Sequence, residues 1–222
     1  MKERPRAEVF DQLLVPALSQ ATREAARGEL EESDLAFIRR VVGEILDDLE
    51  GTEEILPEIP AQSGSAAPAL VNRTPPPTPT PTQFLVAVVA PSGSSDALTL
   101  RMLGQLFTST KCTLVTIEDA GSPMQLADRL AKVSPAMVVL SHLHPERLAK
   151  ARYQVRRLRA RFAKLPILVG RWGEAASDAA SEGLCGVGAT QVALTLADAR
   201  DQILARADST VPLTKMTAKT GG

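Results

Sequence analysis

Phe84-Leu85-Val86-Ala87-Val88-Val89-Ala90-Pro91-Ser92-Gly93-Ser94-Ser95-Asp96-Ala97-Leu98 is the stretch that decides the fold. Its first seven residues are an unbroken apolar run. A strand with one wet face alternates, so this run reads as a strand covered on both faces. Pro91 and a cluster of serines around Gly93 close it. Beyond Asp96, Leu98, Met102, Leu103 and Leu106 fall on one side of a helix that runs to residue 107. The same unit then repeats. Strands are predicted over 112–117, 136–140 and 167–170, with a weak one over 186–189. Helices are predicted over 124–132, 145–163, 174–182 and 194–207. Five such units in residues 83–207 argue an α/β fold, a flavodoxin-like doubly wound five-stranded parallel sheet. In the strand order 2-1-3-4-5, Cys112 and Cys185 lie at opposite edges. They are then beyond the ~7 Å Cα separation that a disulfide tolerates.

Upstream the pattern is different. Residues 1–51 read as a small helical module. Phe10, Leu13, Leu14, Ala17, Leu18, Ala21 and Ala25 recur at helical spacing over 7–27, with Gly28 at the stop. Pro16 lies inside and is expected to kink this helix or divide it. A second helix starts near Ser33 or Asp34, carries Leu35, Ile38, Val41, Val42, Ile45, Leu46 and Leu49 on one face, and ends at Gly51. Two amphipathic helices cannot cover their own stripes, so they need a third surface or a second copy. Residues 52–82 read as a Pro-rich linker. Eight of the chain's 16 prolines lie between Pro57 and Pro81. Residues 208–222 lack any pattern and read as a disordered tail.

Composition excludes several classes. The chain has 222 residues, 44% hydrophobic and 23% charged, which is globular composition. No apolar run approaches the ~20 residues that span a bilayer. The first eight residues carry charges without an apolar core behind them, so no signal peptide is read there. Two cysteines make neither a disulfide scaffold nor a four-ligand zinc site. The expectation is a cytoplasmic protein with reduced thiols. The net charge of −1 gives no whole-molecule attraction to nucleic acid.

Ligands of such sheets sit beyond the carboxyl ends of the strands, where the strand order reverses. That singles out Ser92, Gly93, Ser94 and Ser95 after the first strand. These residues either cap the following helix or hold an anion on its N-terminus. The spacing is neither GxGxxG nor a Walker loop. Ser141, His142 and Leu143, with His144 and Pro145, follow the third strand. His-x-His can bind metal or supply a base. Pro145 ends the strand, though, and no third ligand lies nearby, so no metal site is assigned. Gly170, Arg171 and Trp172 follow the fourth strand. The only tryptophan either stacks on a planar ligand or partner, or folds back on the sheet. The loop 183–188 is chemically silent. No nucleophile, base and orienting group stand in a recognisable motif, so no catalytic residue is assigned.

Charge is polarised beneath the near-zero total. Residues 29–54 hold ten acids against Arg39 and Arg40. The segment 145–164 holds Arg147, Lys150, Arg152, Arg156, Arg157, Arg159, Arg161 and Lys164 against Glu146. Three readings are open: a solvated face, a dock for the acidic module within or between chains, or a site for anionic membrane or nucleic acid.

A helical module followed by five βα units resembles the cobalamin-binding domains. Val138-Val139-Leu140-Ser141-His142-Leu143 is similar to that family's Ser-x-Leu motif, and Ile167-Leu168-Val169-Gly170 to the strand that ends in its Gly-Gly motif. Its Asp-x-His-x-x-Gly motif falls on Ala90, Ser92 and Ser95. The cobalt-ligating histidine is therefore absent, His142 does not replace it, and Arg171 stands at the second glycine. The resemblance implies the fold with cobalt-ligating chemistry lost. A second resemblance covers residues 7–205, broken at the linker. It rests on Phe10-Asp11-Gln12-Leu13-Leu14-Val15-Pro16-Ala17-Leu18, Arg27-Gly28-Glu29-Leu30, Arg101-Met102-Leu103, and Ala151-Arg152-Tyr153 with 156–162. These are similar to the cytoplasmic C-terminal region of autoinducer-2 exporter type permeases. It implies a regulatory or interaction module, not an enzyme, at the inner face of a membrane. The partner is then a permease, or a second copy through residues 7–50. An unidentified small ligand fits this reading and no cofactor is expected. The alternative is a base-on cobalamin carrier or an accessory subunit of a cobalamin-dependent enzyme.

Overall fold

The computed structural model describes residues 5–51, 84–91, 93–107, 112–118, 123–143, 148–173 and 178–210. The sequence-based linker over 52–82, Ser92, His144 and the tail beyond 210 lie outside these residues.

Five strands form one parallel sheet in the order β2-β1-β3-β4-β5. They are β1 Phe84–Ala90, β2 Cys112–Glu118, β3 Met137–Leu143, β4 Ile167–Trp172 and β5 Gln191–Ala193. The inner strands β1, β3 and β4 are covered on both faces. Every residue of β3 and β4 is buried, whereas edge strand β2 is half-open. The order reverses between β1 and β3, and right-handed crossovers then divide the helices between two faces. Helices α4 Ser95–Gln105 and α8 Leu196–Thr210 share one face. The other carries α5 Pro123–Val133, α6 Leu148–Arg161 and α7 Asp178–Cys185. Two apolar cores follow. One joins Val86, Val88, Met137, Val139 and Leu168 to α4 and α8, and the other joins Ala87, Val89, Val138, Leu140 and Val169 to α5, α6 and α7.

Two strand ends were read too short from the sequence. β3 continues through Ser141, His142 and Leu143, and β4 through Arg171 and Trp172, paired Ser141 to Gly170, His142 to Arg171 and Leu143 to Trp172. Polar side chains there suggested loops, but the strand ends are covered and bury them. The fifth strand is a third correction, lying at Gln191–Ala193 and not at 186–189. Gly188 has φ of 111°, which ends an extended chain, and residues 186–188 form a turn. Arg159 of α6 holds that turn. Its Nε and Nη2 donate to the Gly188 carbonyl at 3.0 and 2.6 Å, and Nη1 donates to Ala163 and Leu165 carbonyls at 2.8 and 2.9 Å.

The N-terminal module is continuous with the first core. Its first helical stretch is α1 Arg6–Val9, a π-helical turn Phe10–Leu14, and α2 Val15–Arg27. The chain thus stays helical through Pro16, without a break there. Proline lacks an N–H and crowds the preceding turn, and the wider π turn lies immediately ahead of it. Gly28 at φ 75° ends α2, with the Glu29 N–H reaching back to the Glu24 carbonyl at 2.9 Å. Helix α3 Glu32–Gly51 then returns. Phe10, Leu18, Val42 and Leu46 bury their side chains with α4 and α8 residues.

The sequence left open a dock for the acidic module on the basic segment within the chain. That alternative is overturned. The module docks on α4 and α8, across the sheet from α6. Arg101 of α4 donates to Asp47, to Glu50 at 3.1 Å and to the Gly43 carbonyl at 3.4 Å. Gln105 donates to Glu50 and the Leu46 carbonyl, both at 2.8 Å. Asp11 accepts the first N–H groups of α8, from Leu196 at 2.7 Å and Ala197 at 3.1 Å. A carboxylate at a helix N-terminus takes up unsatisfied donors and the positive end of the dipole. Burial still pushes the Asp11 carboxyl up from its ordinary value, outweighing those two donors.

Candidate functional site

The switch point between β1 and β3 opens onto the start of α4, and there the chain builds a buried polar knot. Asp96, the second residue of α4, is 9% exposed. Its Oδ1 accepts the Leu143 N–H at 2.7 Å and the Ser141 hydroxyl at 2.9 Å. The Ser141 oxygen in turn accepts the Trp172 indole N–H at 2.7 Å. Thr99 lies 3.1 Å from Ser141 and donates to the Asp96 carbonyl at 2.7 Å. Such a carboxylate is sustained by charge-assisted donors and by its place in the first helical turn.

Trp172 decides what space remains. The indole is fully buried and lies directly over Gly170. A Cβ on Gly170 would stand 1.9 Å from Trp172 Cζ2 and 2.4 Å from Cε2. Residue 170 is thus a glycine because its own strand's tryptophan fills the place. A planar group set on Ser141 and Gly170 would need the volume the indole holds and a hydroxyl already shared with Asp96, Thr99 and Trp172. The residues present do not fit cobalamin there. Of the two readings open for Trp172, folding back is the one observed.

The other candidates divide between the faces. His142 and Arg171 are neighbours on the opposite side of the sheet from Ser141 and Trp172, 1% and 3% exposed. They therefore do not join the knot. Ser94 is the N-cap of α4, accepting the Ala97 N–H at 3.2 Å while its hydroxyl donates to the Pro91 carbonyl at 2.6 Å. Gly93 takes φ of 67° in the turn before it. Ser95 is buried under the module. Arg39 Nε donates to its hydroxyl at 3.2 Å, and Thr22 Oγ1 lies 3.2 Å away. At the end of β4, Gly173 meets α2 so closely that a Cβ would stand 2.9 Å from Ser19 Cβ. The module thus covers the crevice at the loops after β1 and β4.

Sequence reasoning missed Asp96 and Thr99. An acid in a first helical turn is ordinary, and Thr99 sits among apolar residues. The only signal was Ser95-Asp96-x-x-Thr99 directly after a buried strand. No group of three metal-ligating side chains occurs among the described residues. Cys112 and Cys185 are free thiols, the first buried and the second exposed. No helix among the described residues is long and apolar enough to cross a membrane.

No protein-family model matches the sequence. No curated protein matches it either. Among solved structures, the chain is similar to a novel cobalamin-binding protein from Desulfitobacterium hafniense DCB-2, at 14% identity and a TM-score of 0.46, covering 90% of this chain and 82% of that one. It is also similar to the signal receiver domain of the response regulator NarL from Mycobacterium tuberculosis, at 15% identity and a TM-score of 0.42, covering 58% and 98%. The strand order itself carries the assignment: a flavodoxin-like five-stranded parallel α/β domain with a helical N-terminal module.

Proposed function

We propose that this chain is a non-catalytic interaction module whose ligand crevice is closed by its own side chains. It has lost cobalamin chemistry and acts through a protein partner of the permease type at the inner face of a membrane. One observation carries the first part: the Trp172 indole lies on Gly170 and donates to Ser141. The loss of a cobalt-ligating histidine is supported by the residues in its place. Ala90 ends β1 and Ser95 is held by Arg39 and Thr22. No substrate can reach the Ser141 hydroxyl while it is shared with Asp96 and Trp172, so a nucleophilic role is not assigned. Permease association rests on the resemblance of residues 7–205 to exporter tails. Arg101, in one of those segments, is the residue that clamps the module to α4.

Titration with hydroxocobalamin, read by visible absorption and by Trp172 emission, tests the closed crevice. Neither signal is expected to change. Saturable binding accompanied by a shift in Trp172 emission would refute the proposal. The partner is tested separately, by binding to a detergent-solubilised exporter-type permease whose own C-terminal region has been deleted. Saturable binding is expected, and weakening when Arg101→Ala loosens the module.

A further inference from the structure

The two edges of the sheet are built differently. The β5 edge is blunted. It is three residues long, and the Gln202 amide donates to the Val192 carbonyl at 3.3 Å. The β2 edge has no such cover. Its seven residues pair with β1 one to one, without a bulge. Residues 112–117 read Cys-Thr-Leu-Val-Thr-Ile, with neither a charge nor a proline. Among the described residues, 113–117 make no hydrogen bond except along β1. At the strand's end the Glu118 carbonyl accepts from Arg129 at 2.9 Å. An edge strand points alternate N–H and C=O groups away from its one neighbour, so β2 offers a template for a further strand. Charges, prolines, bulges or short length ordinarily prevent that, and residues 112–117 carry none of them.

A side chain marks the same edge. β2 gives Leu114 to the first core and Ile117 to the second, whereas Val115 joins neither. It is half-buried at the middle of the strand, beside Ala87 of β1. A β-branched apolar residue there suits a cross-strand neighbour, which the chain itself does not supply. Charge sets the direction of that neighbour. In sequence Lys111 precedes β2, which ends on Glu118 with Asp119 next. A second β2 laid antiparallel brings the basic start of each strand to the acidic end of the other. Laid parallel, it would set like charges together.

We infer that β2 of one copy pairs antiparallel with β2 of a second copy, about a two-fold axis at Val115, joining two five-stranded sheets into one. Val115 then faces its own copy, Thr113 faces Ile117, and Leu114 faces Thr116. These are β-branched and apolar pairs of the kind that stabilise a sheet, and no like charges are opposed. The contact is isologous and closes at two copies, since the β5 edge is blunted. The chain's own Pro-rich segment does not fit as the added strand. Eight prolines between Pro57 and Pro81 have no N–H to give a ladder. The inference holds whether or not the crevice admits a ligand.

Sedimentation velocity of the full chain over about a hundredfold range of concentration is the test, with backbone hydrogen exchange beside it. The wild type is expected to pass from monomer to dimer and no further, and β2 to exchange more slowly as the dimer forms. Val115→Lys and Val115→Glu each set like charges face to face at the axis. Each is expected to weaken the dimer about a hundredfold or more. Mixed in equal amounts, the two variants are expected to pair again, within about tenfold of the wild type. Circular dichroism melts check that both variants fold. Should a charge at position 115 prevent folding, the wild-type exchange pattern decides by itself. A wild type that stays monomeric, growth beyond a dimer, a dimer that survives both substitutions, or folded variants that fail to pair when mixed would overturn the inference. So would a dimer whose β2 exchanges as fast as in the monomer.

Discussion

Replacing Gly170 by alanine tests whether Trp172 closes the crevice by occupying it. The new methyl would fall 1.9 Å from Cζ2 and 2.4 Å from Cη2 of the indole. Ordinary carbon contacts lie near 3.5 Å or beyond, so the ring must move by roughly 1.5 Å. It has no room for that, being fully buried and tied to Ser141. Overpacking of this kind costs about 1–3 kcal/mol. Breaking the indole–Ser141 bond and leaving a buried donor unmet adds about 1–3 kcal/mol. The expected loss is therefore about 2–6 kcal/mol from these two sources. Urea unfolding measures it, and native-state fluorescence locates it, because Trp172 is the only tryptophan. The native emission should shift to the red and lose intensity as the ring is displaced. A double-mutant cycle supplies the control. In a Trp172→Leu background, followed by circular dichroism, the alanine should cost at least about 1.5 kcal/mol less. Gly170→Ala with native emission and a loss below about 0.5 kcal/mol would refute the reasoning.

Two further perturbations probe what holds the site in place. Arg159→Ala leaves the Gly188, Ala163 and Leu165 carbonyls without its guanidinium, and is expected to cost about 2–4 kcal/mol in urea unfolding. Arg159→Lys should recover little, since one ammonium cannot reproduce the planar fork. The second is pH dependence of the module dock. The Gln105 side-chain amide, then Arg101, hold the Glu50 carboxyl below its ordinary value of 4.5. A depressed folded pKa gives stability that is complete above 4.5 and lost as pH falls through the folded value. Asp11 runs the other way. Its carboxyl lies above its ordinary 3.8, so the folded state takes up that proton first and regains stability on acidification. Unfolding midpoints between about pH 7 and about pH 3 should show a steeper acid loss in Asp11→Asn and a shallower one in Glu50→Gln than in the wild type. Parallel profiles for all three proteins would remove both assignments.

How much of this was legible in the sequence depended on whether a residue's neighbours share its segment. The strand β1 and the helix behind it were readable because seven apolar residues and a 3.6-residue period are local properties. The strand order followed from the βα alternation, since right-handed crossovers leave few arrangements. Strand ends were less legible. Ser141, His142, Arg171 and Trp172 look like loop residues, and what makes them strand is the pairing of β3 with β4 and cover on both faces, which for Ser141 and Trp172 comes from α4 and the N-terminal module, far away in sequence. The fifth strand was misplaced because Val187 and Ala189 alternate like a strand, while the turn they belong to is held by Arg159 from α6. Gly170 shows the limit most clearly. Read against a cofactor-binding pattern, it is half of a Gly-Gly motif and argues for a ligand. Read in place, it is a glycine because Trp172, two residues on along the same face of β4, needs the room. Arg171 at the second glycine already set the pattern aside, but only the pairing of β3 with β4 brings the indole to Ser141. The same small residue thus argues for an open crevice in one dimension and for a closed one in three. It is the tryptophan, not the glycine, that tells them apart.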